Sequence, residues 1–132
     1  MILNSKPENT VSKTILYIED SEINIILVKR IFELEENITL LSAVSAEEGI
    51  QLAKEKKPDL ILMDLTLPGM DGYKATELLK ADKKTANIPV IALSAHESHE
   101  HRRKNEAAHF SDYISKPFNV ETFFERIAIH LH

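Results

Sequence analysis

The 132-residue chain contains no cysteine, which excludes disulfides, thiolate metal sites and cysteine nucleophiles. That absence fits a reducing compartment, and the cytoplasm is the expected location. A basic excess is also missing: 16 lysines and arginines stand against 21 aspartates and glutamates, a formal charge of −5. Phosphate backbones demand a basic face, so no nucleic-acid partner is expected. No apolar run approaches the roughly 18 residues of a membrane span. Met1 to Leu3 is too short for a signal-peptide core before polar residues take over, so no membrane association is expected. Internal repeats and low-complexity tracts are absent as well.

What remains is ordinary for one globular domain: 43% hydrophobic and 28% charged residues, enough to bury a core. Residues 1–12 (MILNSKPENTVS) are polar and expected to form a flexible tail, leaving 13–132 as the domain. Short runs rich in Ile, Leu and Val predict strands at Thr14–Ile18, Thr39–Ala43, Leu60–Met63, Pro89–Leu93 and Asp112–Ile114. Helical patterns lie between them. Ser21 caps one through about Leu34, Ser45 with Glu48 forms a capping box for one ending before Pro58, and Asp71 opens a third. A fourth is predicted over about 97–108, and Asn119 caps a fifth carrying Phe123, Phe124, Ile127 and Leu131 at helical spacing. Continuous rather than alternating apolar strands, joined by helices, predict an α/β (βα)₅ three-layer sandwich around a parallel sheet.

In open parallel sheets the ligand crevice lies at the carboxyl ends of the strands. Glu19 and Asp20 follow the first strand, Asp64 the third, Ser94 the fourth and Lys116 the fifth. Asp64 sits directly after four apolar residues in LILMDLTLPGMDG, Leu60 to Gly72. A carboxylate there must be protonated, paired, metal-bound or placed where the strand emerges into a cleft. Two carboxylates at about 4 Å repel by roughly 4 kcal/mol at an effective dielectric near 20, so three cannot share one edge ionised without cations. Lys116 offsets one charge. An all-oxygen site with water positions left open suits Mg²⁺ for the others.

IEDSEIN (Ile18 to Asn24), LILMDLTLPGMDG, ALSA (Ala92 to Ala95) and DYISKPF (Asp112 to Phe118) together resemble the receiver domain of two-component response regulators. The resemblance implies a flavodoxin-like sheet with strand order 2-1-3-4-5. It implies that Asp64 is the phospho-acceptor, served by a histidine kinase or a histidine phosphotransfer protein, and that the chain catalyses only its own phosphorylation and dephosphorylation. Glu19 and Asp20 then match the acidic pair that holds Mg²⁺, or Mn²⁺ in its place, with Asp64 and the backbone carbonyl of Thr66. Lys116 and Ser94 would contact phosphoryl oxygens. Tyr113 matches the switch aromatic, moving with Ser94 to change the surface of the 97–108 helix, the fifth strand and the last helix for a downstream protein. Pro117 is expected to be cis.

Two departures from the family stand out: Glu19 where aspartate is commoner, and His109 where glycine usually ends the fourth helix. Thr66 and His96 flank the expected phosphoryl position. HESHEHRR (His96 to Arg103) reads as a solvated polar face rather than a metal site. On the first helix, Ile23, Ile25, Ile26, Leu27, Val28, Ile31 and Phe32 form a broader apolar band than one buried stripe needs. Ile23 and Ile26 are therefore expected to stay exposed beside the acidic pair, where the resemblance implies a phosphodonor docks. Two alternatives carry weight: a receiver-fold interaction module that works without phosphorylation, and a metal-dependent phosphatase. The intact set Glu19, Asp20, Asp64, Ser94, Lys116 argues against the first. Against the second stand the lack of a cap insertion and Thr66 at the position two after Asp64. With no room for an effector, the chain is expected to be a stand-alone receiver or part of a hybrid kinase or longer regulator.

Overall fold

The computed structural model describes residues 12–94, 110–116 and 119–131. The helix predicted over 97–108, His96, His109, Pro117 and all of the predicted tail except Ser12 lie outside the described residues. The described elements run β1 (Lys13–Ile18), α1 (Glu22–Phe32), β2 (Ile38–Ala43), α2 (Ala46–Lys56), β3 (Leu60–Asp64), α3 (Gly72–Ala81), β4 (Val90–Ser94), β5 (Asp112–Ser115) and α4 (Val120–His130). All strand pairings are parallel, in the order β2-β1-β3-β4-β5. The apolar runs predict the α/β three-layer arrangement with its parallel sheet, and the strand order is the flavodoxin-like one that the family resemblance implies.

Local chemistry starts each helix. Ser21, Ser45, Asp71 and Asn119 occupy the N-cap positions of α1 to α4, and each side chain accepts from the backbone N–H three residues on. The Glu48 carboxylate reaches back to the Val44 N–H at 2.8 Å, closing the box around Ser45 from one residue earlier than expected. Lys57 ends α2 in the left-handed conformation, φ 45°.

The sheet separates two cores. On one face Leu16, Ile18, Ile61, Met63, Val90 and Ala92 pack with α2 and α3 residues such as Ala53, Tyr73 and Leu79. On the other Ile15, Tyr17, Leu60, Leu62, Ile91 and Leu93 pack with Ile25, Val28 and Phe32 of α1 and Phe123 and Ile127 of α4. Strand side chains alternate between faces, and helices cover both, so every residue of β3 and β4 is buried. Among the described residues no helix is long and apolar enough to cross a membrane.

Expected strand ends need correction, since β4 runs on from Leu93 to include Ser94 and β3 likewise gains a residue. β3 does not stop at Met63: Asp64 pairs with Leu93, is its last residue, and is only 2% exposed. A central strand flanked by β1 and β4 has its ladder carried onward, and Leu65 N–H still donates to Leu93 O at 3.0 Å. The carboxylate is thus held inside the sheet edge rather than emerging from it.

α3 rests directly on that edge. A Cβ on Gly72 would lie 2.6 Å from the Asp64 carbonyl oxygen and 3.0 Å from Leu65 Cα, backbone atoms that cannot step aside. At Gly49 the nearest atoms are Cδ1 and Cγ1 of the buried Ile18, at 2.4 and 2.6 Å, side-chain atoms that a rotamer change can move where backbone cannot. Gly72→Ala should therefore destabilise the fold by about 1–3 kcal/mol through overpacking. Gly49→Ala should cost less, since helix propensity favours alanine by roughly 1 kcal/mol there. Thermal melts of both variants check the ranking, and a larger loss for Gly49→Ala would contradict it.

The edge strand β5 is tied to α4 by charge. Arg126 donates through both Nε and a terminal nitrogen to the Asp112 carboxylate and, at 2.9 Å, to the Tyr113 carbonyl, while His130 Nε2 lies 3.2 Å from Asp112 Oδ2. Hydrogen bonds from Arg126 lead in holding the Asp112 carboxyl down at about 2. A carboxylate depressed in the folded state contributes stability that is complete above its unfolded value of about 4 and is lost as pH falls through the folded value. Stability should drop between about pH 4 and about 2. Asp112→Asn should flatten that part of the curve in acid unfolding followed by circular dichroism.

Candidate functional site

Alternation along the strands gathers the site. Glu19 continues the series Ile15, Tyr17 that points toward α1 and α4; Asp64 continues Leu60, Leu62; Lys116 continues Ile114. Ser94 continues the opposite series Val90, Ala92, and Tyr113, half-buried, packs against that same core. These groups therefore fall into two sets: Glu19, Asp64 and Lys116 on one side, and Ser94 with Tyr113, near the start of β5, on the other.

Glu19 and Asp64 are both nearly inaccessible, at 1% and 2%, whereas Asp20 is exposed. One carboxylate oxygen from each of the three lies within 4.8 Å of the others. Lys116 Nζ reaches Glu19 Oε1 at 3.2 Å and Asp64 Oδ1 at 3.7 Å. Its backbone N–H donates to the Ser94 carbonyl at 2.7 Å, which fixes the end of β5 against the end of β4. Asp64 Oδ1 also accepts from the Thr66 N–H at 3.1 Å and the Thr66 hydroxyl at 3.0 Å. Thr66 itself is exposed.

Two groups close on Glu19 that the sequence did not single out. The buried Tyr17 hydroxyl donates to Glu19 Oε1 at 2.9 Å, and Asn24 Nδ2 approaches the same oxygen at 3.3 Å. Both have a readable signal. Tyr17 stands two residues before Glu19 on one strand, hence on its face, and Asn24 lies in the first turn of α1 above the acidic pair.

Burial opposes ionisation of both inner carboxylates, and they resolve it in opposite ways. Burial works against Glu19, but hydrogen bonding with Asp64 and the Lys116 charge outweigh it and hold Glu19 below the usual carboxylate range. Burial and the neighbouring Glu19 push Asp64 up. Burial and then the Glu19 charge raise Tyr17 far above the ordinary phenol, keeping its hydroxyl a donor. A compact, all-oxygen set with excess negative charge and one ammonium fits a small divalent cation, and Glu19, Asp20 and Asp64 are the residues that could hold it.

Ile23 and Ile26, on the outer face of α1, are 72% and 47% exposed, in line with the breadth of the apolar band; Leu27 at 54% joins them. Ile25, Val28 and Phe32 carry the buried stripe.

Residues 15–128 match the family model of the response regulator receiver domain. Over 120 residues the chain is 36% identical to the polar-differentiation response regulator DivK of Brucella ovis, covering 91% of this chain and 97% of that protein. The receiver domain of the sensor histidine kinase PA1611 from Pseudomonas aeruginosa, solved with a magnesium ion coordinated in its active-site cleft, superposes with a TM-score of 0.80 at 27% identity; the match covers 92% of this chain and 98% of that one. The chemotaxis protein CheY4 of Vibrio cholerae shares the fold at a TM-score of 0.85 and 21% identity, over 92% of this chain and 100% of its own. A family model spanning most of the chain and a relative similar along nearly its whole length lead to one conclusion: the chain belongs to the response regulator receiver domain family of two-component signalling.

Proposed function

We propose that the chain is a phospho-accepting receiver in which Asp64 takes a phosphoryl group from a histidine phosphodonor. The observation that carries this reading is the buried cluster of Glu19, Asp64 and Lys116 with Asp20 at its rim. A structural ion pair needs one carboxylate per ammonium, and this site holds three. In the transfer step an Asp64 carboxylate oxygen attacks phosphorus, the bond from phosphorus to the donor nitrogen breaks, and the donor imidazole leaves with that electron pair. Charge in the loose transition state spreads over three equatorial oxygens, so positioned cations do most of the catalysis. Mg²⁺ bound by Glu19, Asp20, Asp64 and the Thr66 carbonyl would neutralise phosphoryl oxygens there. Lys116, already within reach of Asp64, supplies the protein's own positive charge. The product is a mixed anhydride, reactive enough to hydrolyse, which suits a signal that must decay.

Ser94 and Tyr113 share the other face of the sheet and form the switch in this reading. Ser94 moves toward the phosphoryl oxygens and Tyr113 turns into the space it leaves, altering the surface around β5 and α4 that a downstream protein reads. The exposed Ile23 and Ile26, extended by Leu27, support docking of the phosphodonor beside the acidic pair.

Two experiments check these roles. Incubated with Mg²⁺ and acetyl phosphate, the wild-type chain should gain one phosphoryl group by intact mass, and Asp64→Asn should gain none; an unlabelled wild type would overturn the proposal. Ile26→Glu should slow transfer from a phosphorylated histidine donor by roughly tenfold, equivalent to about 1.4 kcal/mol of docking. Labelling by acetyl phosphate should be unchanged in that variant. Equal transfer rates for variant and wild type would remove α1 from the docking surface.

A further inference from the structure

Glu19 has one methylene more than the aspartate commoner at its position, and therefore one more torsion to fix. An unanchored glutamate loses up to about 2 kcal/mol of rotamer freedom when ordered, a cost that falls on any ligand requiring one pose. The structure contains an anchor. Tyr17 is 1% exposed, its ring lies in the core between β1 and α1, and its hydroxyl donates to Glu19 Oε1 at 2.9 Å. A tyrosine buried this deeply needs a partner for its hydroxyl, since an unmade bond there costs about 1–3 kcal/mol. Each residue thus solves the other's problem. The longer glutamate reaches back to the phenol, and the phenol, set by a rigid strand, fixes the glutamate. Asn24 and Lys116 converge on the same oxygen at 3.3 and 3.2 Å. Oε2 accepts a long contact from the Ser21 N–H, 3.3 Å.

We infer that Tyr17 is a positioning residue for the cation site, holding Glu19 through Oε1 so that the carboxylate is preset for a divalent cation. Tyr17 and Glu19 act as a unit, and an aspartate at position 19 would leave the phenol without its acceptor. The inference rests on the reading of the acidic cluster as a Mg²⁺ site, and its test separates the two.

The test is calorimetric titration of the full chain with Mg²⁺ alone, for wild type, Tyr17→Phe, Glu19→Asp and the double variant. Tyr17→Phe removes a single oxygen, and its far-ultraviolet circular dichroism should show the fold retained. Its Mg²⁺ affinity should fall roughly tenfold, the usual effect of removing an outer partner of a ligand. In the Glu19→Asp background the same substitution should change affinity less than about twofold, because the shorter carboxylate does not reach the phenol. Wild type should also show a tyrosine absorbance change on adding Mg²⁺ that Tyr17→Phe lacks. Unchanged or tighter binding by Tyr17→Phe, or an equal loss in both backgrounds, would overturn the role of Tyr17 while leaving the Mg²⁺ site standing. Absence of binding by wild type would overturn both.

Discussion

Two carboxylates buried side by side with one ammonium are the constraint on which the rest of the structure depends. Glu19 and Asp64 are almost wholly removed from water, and Lys116 touches both. Such an arrangement is costly in isolation, because desolvating each charge costs several kcal/mol and one ammonium cannot compensate both. The fold tolerates it because every element around the site is itself firmly held. β3 is buried along its whole length, α3 presses on the Asp64 carbonyl through Gly72, and the end of β5 is fastened to β4 through Lys116 and Ser94.

The parallel sheet makes this possible by bringing together residues nearly a hundred positions apart. Parallel strands all end at one edge, and alternation then sorts their last residues by face. Glu19, Asp64 and Lys116 fall on the α1 side, and the proposed switch pair Ser94 and Tyr113 on the other. Asp64 faces the same side as α4, and the thickness of the sheet separates it from Ser94 and from the Tyr113 surface of β5. Arg126, which holds both Asp112 and the Tyr113 carbonyl, ties that surface to α4.

Much of this was legible in the sequence where the determinants are local. Ser21, Ser45, Asp71 and Asn119 announce helix starts because a cap needs only its own chain three residues on. The apolar runs mark the strands, and the charged or polar residues after the first, third, fourth and fifth mark the candidate site. What escaped reading depends on partners distant in sequence or on neighbouring strands. Asp64 belongs to β3 because β4 continues the ladder beside it, which no residue near Asp64 encodes. Tyr17 is the exception, since its partner Glu19 stands only two residues on along the same face, a local signal that a bulky core residue masks. Leu27 belongs to the apolar band of α1, and only the direction from which the sheet approaches decides that it faces outward with Ile26.

The central claim is that the buried cluster exists to place a phosphoryl group on one carboxylate, and the chemical nature of the bond tests it most directly. After labelling with Mg²⁺ and acetyl phosphate, the chain should be treated with hydroxylamine and fragmented for mass spectrometry. An aspartyl phosphate is an acyl phosphate, so the account predicts that hydroxylamine removes the label and leaves a hydroxamate at Asp64. A label that survives hydroxylamine, or that maps to Ser94, Thr66 or any other side chain, would contradict it.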